Sequence, residues 1–137
     1  MKQFIFPLKV YIEDTDYSGL VFHANYLNYF ERARSESVEI LGLGIEWQAQ
    51  HEIYFPVRSI QIDYLKPARL NNQLEVISQI VNIKKASIIY DQHLRLANSP
   101  DTILCKATVK IACVNKHIRP CAIPYSGLHE ILMGEPE

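Results

Sequence analysis

The sequence predicts an α+β protein in which one long helix lies on a mainly antiparallel sheet of five strands. Three observations predict it. Apolar residues recur every three or four positions over one long stretch only, residues 25–41. Before and after it the recurrence is every second residue, as in half-buried strands. The segment NSPDT between the last two strands is too short for a parallel crossover, so those strands run antiparallel.

The elements follow in order. Residues 4–13 form a strand whose Pro7 places it near an edge. A polar loop follows. From Asn25 to Leu41, the residues Tyr26, Phe30, Ala33, Ser37 and Leu41 make one stripe, while Glu31, Arg32, Glu36 and Glu39 lie off it. Small side chains at Ala33 and Ser37 suit a helix lying closely on a sheet. Gly42 and Gly44 supply the stop. Residues 45–56 are irregular or briefly helical. Residues 57–65 alternate, and KPARLNN (66–72) connects them to strands over 73–83, 86–97 and 103–115. In the second of these, Ile88, Tyr90, Leu94 and Leu96 share one face, and Asp91, His93 and Arg95 the other. The tail carries Pro120, Pro124 and Pro136, with a turn of helix expected near Gly127–Met133. One helix covers one face of long, twisted strands. The remaining apolar surface and the free edges predict a homo-oligomer, a dimer or tetramer.

Composition narrows the function. The 137 residues suit one domain, 1–137. The balance of 14 Lys+Arg against 15 Asp+Glu lacks the basic excess of a nucleic-acid partner. No run approaches the ~18 apolar residues of a membrane span, and MKQFIFPLKVYIED has no continuous apolar core of a signal peptide, so a cytoplasmic protein is expected. Cys105, Cys113 and Cys121 are too few and odd in number for a disulfide framework, and none sits in a nucleophile motif. They are expected to be structural thiols. His51, His93, His117 and His129 show no metal-ligand spacing, and no metal or cofactor is expected.

Chemistry concentrates in EDTDYSGLVFHANY, Glu13 to Tyr26. Asp14, Asp16, Ser18 and Gly19 match the first half of a calcium loop, but Asn25 stands where the bidentate Glu belongs and a strand replaces the entering helix. A structural reading has Asp16 holding the turn and Asn25 capping the helix. A catalytic reading places a carboxylate, Asp16, just before a helix start at His23. Unpaired N–H groups and the positive dipole end there can stabilise an oxyanion formed from a carbonyl. That pair is a minimal acyl-transfer site.

At these residues the chain resembles a known family. VYIEDTDYSGLVFHANYLNYFERARSE (Val10–Glu36) is similar to the signature of hot-dog-fold acyl-CoA thioesterases, the 4-hydroxybenzoyl-CoA thioesterase-like group and its YbgC branch. The likeness continues at Phe55–Val76, Ile83–Gln92 and Arg119–Pro124. Tyr17–Ser18 stands where small residues are common, and Asn71–Asn72 where Gly-Asp is usual. The resemblance implies a hot-dog fold, a long central helix wrapped by a curved five-stranded sheet. It implies that Asp16 is the catalytic carboxylate and that the N–H of His23 polarises the thioester carbonyl. The His23 side chain assists proton transfer or orientation, and Tyr11 stands near the site. Lys84 and Lys85, expected to open a strand beside Ser87, are placed with it at the nucleotide end of CoA, and Asn25 and Tyr26 against the substrate. Acyl-CoA, or an acyl group on acyl carrier protein, is the implied substrate. CoA enters only as part of that substrate. The competing reading is a non-catalytic module that grips acyl-CoA, acyl carrier protein or an envelope-associated partner, since the branch takes its name from a gene neighbourhood tied to the Tol–Pal system.

Overall fold

The computed structural model describes residues 2–123, so the helical turn expected near Gly127–Met133, and His129 with it, lies outside the described residues. The elements are β1 (Gln3–Lys9), a 3-10 turn at Ile12–Asp14, α1 (Asn25–Ile40), α2 (Ile45–His51), β2 (Ile53–Tyr54), β3 (Val57–Tyr64), β4 (Gln73–Ile83), β5 (Ser87–Leu96), β6 (Ser99–Ala112) and β7 (Val114–Asn115). Five strands form one sheet in the order β1-β4-β5-β6-β3, with every neighbouring pair antiparallel. Strands β2 and β7 pair separately. The α+β architecture is as expected, and Pro7 does sit in an edge strand.

Helix α1 packs on one face of this sheet. Tyr26, Tyr29, Phe30, Ala33 and Ser37 are buried against a core that includes Leu74, Val76, Ile80, Tyr90, Leu94 and Val109. Two buried residues of α1 fall outside the expected stripe, Tyr29 and Arg34. The helix ends at Gly42, whose φ of 79° is the left-handed conformation a side chain disfavours. Gly42 N–H donates to Glu39 O at 3.0 Å and Leu43 N–H to Val38 O at 2.9 Å, which satisfies two terminal carbonyls.

A polar network ties α1 to the sheet centre. Gln92 points inward from β5, where its Nε2 donates to Phe30 O at 3.0 Å and to Ser78 Oγ at 2.9 Å. Its Oε1 accepts from Arg34 Nη1 at 2.8 Å, and Arg34 also pairs with Glu31. Ser37 and Tyr90 share a further hydroxyl–hydroxyl bond at 2.8 Å. Buried polar groups of this kind are tolerable because each finds a partner.

Three boundaries differ from expectation for local reasons. Strand β1 stops at Lys9, not Glu13, because the Asp14 carboxylate accepts the Tyr11 N–H at 2.9 Å and winds the chain into the 3-10 turn. Strand β6 begins at Ser99, leaving only Ala97–Asn98 between it and β5. Lys84 and Lys85 lie in the turn before β5, closed by Lys84 N–H donating to Ser87 O at 2.8 Å, and do not open the strand.

Candidate active site

The loop after the 3-10 turn is a small hairpin. Thr15 bridges Val21, Asp16 N–H donates to Leu20 O at 2.8 Å, and Phe22 N–H donates to Asp14 O at 3.0 Å. Its tip is Asp16–Gly19, with Gly19 at φ 79°. The returning limb is anchored on residues 68–70 by Val21 N–H to Ala68 O at 2.9 Å and Leu70 N–H to Gly19 O at 3.0 Å. The anchor turns at Asn71, φ 69°, with Asn72 Oδ1 accepting the Arg69 N–H at 2.8 Å. Asn is among the few residues that adopt this conformation, so Asn71 can do what glycine does in the family pattern.

The two acids of the Asp-x-Asp pair have different surroundings. Asp16 is exposed. Its Oδ1 accepts from Ser18 Oγ at 2.6 Å, Ser18 N–H at 2.8 Å and Leu20 N–H at 3.3 Å. Among the described residues nothing bonds Oδ2, so one oxygen is locked and the other is open. The Ser18 hydroxyl, then the Ser18 N–H, hold the Asp16 carboxyl below the usual carboxylate range. Asp14 is buried. Its Oδ2 takes the Tyr11 N–H, and its Oδ1 takes Asn25 Nδ2 at 3.0 Å. Asp14 therefore fastens the turn to the start of α1. The expectation that Asn25 caps the helix is corrected. The N-cap is Ala24, without a side-chain bond, and Asn25 stands inside the first turn with its amide on Asp14.

His23 is exposed and sits between hairpin and helix. Among the hydrogen bonds of the described residues none uses the N–H of His23 or Ala24, as befits the orphan donors of a helix start. The His23 carbonyl is fixed by Tyr64 Oη, which donates to it at 2.8 Å, and the His23 ring meets Phe22 edge-on at 4.4 Å. Tyr64 in turn packs edge-on against Tyr26 at 5.3 Å. Tyr26 is 3% exposed and its hydroxyl accepts the Ala68 N–H at 3.0 Å, so in the single chain it braces the scaffold where a substrate contact was expected. Tyr29 is fully buried; its hydroxyl lies by Asp14 without a hydrogen bond of ordinary geometry, and burial with the nearby carboxylate pushes its pKa up. Tyr11 is 59% exposed, with Lys9 Nζ 5.8 Å from its ring centroid.

The fold thus brings Asp16, His23, Asn25 and Tyr11 to one end of the molecule. It does not bring Lys84, Lys85 and Ser87 there. β1 leaves the sheet at Lys9 opposite Gln73, whereas the basic turn follows Ile83 at the far end of β4. At ~3.4 Å per residue the strand between them spans roughly 30 Å. Among the described residues no group of three or more His, Cys, Asp or Glu side chains can hold a metal ion, and no helix is long and apolar enough to cross a membrane. Tyr29 and Tyr64 are the members that sequence reasoning missed, and Asp14 is weighed there as a calcium-loop position. All three lie inside the stretches that carry the family likeness, Val10–Glu36 and Phe55–Val76, which is the one signal that could have pointed to them.

A turn-held carboxylate beside a helix start, on a helix laid across a five-stranded antiparallel sheet, defines a class. The chain belongs to the thioesterase superfamily, whose family model matches residues 18–103, and its fold is the hot-dog fold. It is 40% identical to the acyl-CoA thioesterase YbgC of Haemophilus influenzae, over 88% of each chain. It is 35% identical to the acyl-CoA thioester hydrolase YbgC of Escherichia coli, over 90% of this chain and 91% of that one. Among solved structures it resembles a probable thioesterase from Bartonella henselae, with TM-score 0.83 and 31% identity, covering 90% of this chain and all of that one.

Proposed function

We propose that this chain hydrolyses acyl-CoA thioesters, with Asp16 as the reacting carboxylate. One observation carries the reading above the others: Asp16 has one oxygen locked by three donors and the other open, next to a helix start with unengaged N–H groups. Oδ2 attacks the acyl carbon, and the developing oxyanion is met by the N–H of His23. The C–S bond breaks and CoA leaves as thiolate. Water then opens the mixed anhydride at the aspartyl carbon, which frees the acid and restores Asp16. A single turnover in heavy-oxygen water is expected to place label in the Asp16 carboxylate. Label confined to the product acid would move the proposal to a water-activation route.

Lys84 and Lys85 serve the phosphates of CoA, as point charges. They stand a strand's length, roughly 30 Å, from the Asp16 end of β4, which supports their serving the site of a second copy. Edge strand β1 is blunted by Pro7, whereas the other edge, β3, has no proline and, among the described residues, a free flank. The Tyr64 end of β3 lies by His23, and its Val57 end pairs with Ile111, which pairs with Ile88 beyond the basic turn. Antiparallel pairing of two β3 strands sets each Asp16 end against the partner's basic turn. Acyl carrier protein offers the same thioester and would dispense with these lysines, so their effect on each substrate distinguishes the two.

A further inference from the structure

Cys113 and Cys121 face each other where the chain folds back after β6. Cys121 N–H donates to Cys113 O at 2.9 Å, Val114 bridges Pro120, and Asn115 N–H donates to Arg119 O at 2.9 Å, so the two cysteines are directly opposed in one antiparallel register. Opposed hydrogen-bonded residues hold their Cα atoms ~5.5 Å apart, within the ~4.4–6.8 Å a disulfide bridges. The two sulfurs already touch, Sγ to Sγ 3.6 Å, as free thiols. Cys113 is buried, and burial with the neighbouring Cys121 pushes its thiol up to about 12, whereas Cys121 is partly exposed. The proposed hydrolysis uses neither.

The same segment grips the basic turn. Cys113 N–H donates to Ala86 O at 2.9 Å and Ile123 N–H to Lys85 O at 2.8 Å. A change at the cysteine pair is therefore passed through backbone bonds to the residues that carry Lys84 and Lys85.

We propose that Cys113 and Cys121 are a redox-responsive dithiol that hydrogen peroxide closes into an intramolecular disulfide, and that closure lowers affinity for CoA esters through the Lys84–Ala86 turn. The second half rests on the reading of that turn given above. The Cys121 thiolate attacks a peroxide oxygen, the O–O bond breaks, and one oxygen leaves as water. The sulfur of Cys113 then displaces the hydroxyl of the Cys121 sulfenic acid as a second water, the Cys113 proton leaving with it. Two thiols give two electrons to one peroxide.

The test treats the full-length protein with hydrogen peroxide, alkylates it and maps its peptides. The expected result is a Cys113–Cys121 cross-link with only Cys105 left free, reversed by dithiothreitol and abolished by Cys121→Ser. Cross-links between chains or to Cys105, or Cys121 over-oxidised without any cross-link, would overturn the dithiol. The oxidised enzyme is then expected to show a several-fold higher KM for an acyl-CoA, with kcat and the KM of a truncated thioester unchanged. Equal KM in both redox states would overturn the coupling. If Lys84→Ala with Lys85→Ala also leaves the KM of the acyl-CoA unchanged, the phosphate reading of the turn fails, while the cross-link map still decides the dithiol.

Discussion

Replacing Asp14 with alanine removes a buried carboxylate that no reaction step uses. Two hydrogen bonds go with it, from Tyr11 N–H at 2.9 Å and from Asn25 Nδ2 at 3.0 Å. Bonds to a charged acceptor contribute about 1.5–3 kcal/mol each. Neither donor residue is fully buried, so water reaches them in the variant and the lower bound applies. The expected loss is about 3 kcal/mol, a large fraction of a ~5–15 kcal/mol stability. Among the described residues, this carboxylate and the Phe22 N–H to Asp14 O bond tie the 3-10 turn to the start of α1. A misplacement of about 1 Å at His23 costs on the order of a hundredfold in rate. Asp14→Asn keeps one acceptor, now uncharged, and should lose about 2 kcal/mol. Urea unfolding gives the stability, and thiol release from an acyl-CoA gives kcat. An Asp14→Ala protein as stable and as active as the parent would refute the assignment of Asp14 as the fastener of the site.

Four further outcomes are expected. Ser18→Ala removes the largest cause of the depressed Asp16 pKa, so the acid limb of kcat/KM, which requires ionised Asp16, should move to higher pH; an unmoved limb assigns it to another group. Gln92→Ala leaves Ser78 Oγ without its Gln92 partner and Arg34 with Glu31 as its remaining partner, and should cost about 2–4 kcal/mol in urea unfolding, with a loss under about 1 kcal/mol counting against the network. Tyr29→Phe deletes a hydroxyl without an ordinary partner and should leave stability within about 0.5 kcal/mol; a loss above about 1 kcal/mol would show that Asp14 bonds it. Asp16→Asn mixed with Lys84→Ala/Lys85→Ala under conditions of subunit exchange should regain CoA-ester turnover, because one hybrid site then holds both intact halves; no regain would contradict a site shared between copies.

The helix and the sheet were legible because their signals are local. Tyr26, Phe30, Ala33 and Ser37 repeat at helical spacing, and Ile88, Tyr90 and Leu94 at strand spacing, and both sets are buried as that spacing requires. What stayed hidden depends on contacts distant in sequence. Val10, Tyr11 and Ile12 continue an apolar run, and only the reach of Asp14 back to the Tyr11 N–H breaks the strand. Arg34 reads as part of the polar face of a helix until Gln92 is known to point inward. Cys113 and Cys121 are eight residues apart, and only the fold-back at Asn115–Arg119 makes them neighbours. The separation of Lys84 from Asp16 could not be seen in a linear motif, since it follows from which end of β4 meets β1.

The proposed hydrolysis rests on the open oxygen of Asp16. Thiol release from a panel of acyl-CoAs by the parent and by Asp16→Asn, with unfolding measured on both, tests it most directly. The parent is expected to hydrolyse acyl-CoA, Asp16→Asn to lose about a thousandfold or more in rate, and the two proteins to be equally stable. An Asp16→Asn protein that hydrolyses acyl-CoA as fast as the parent would contradict it, and a parent that binds every acyl-CoA and turns over none would make the chain a binding module.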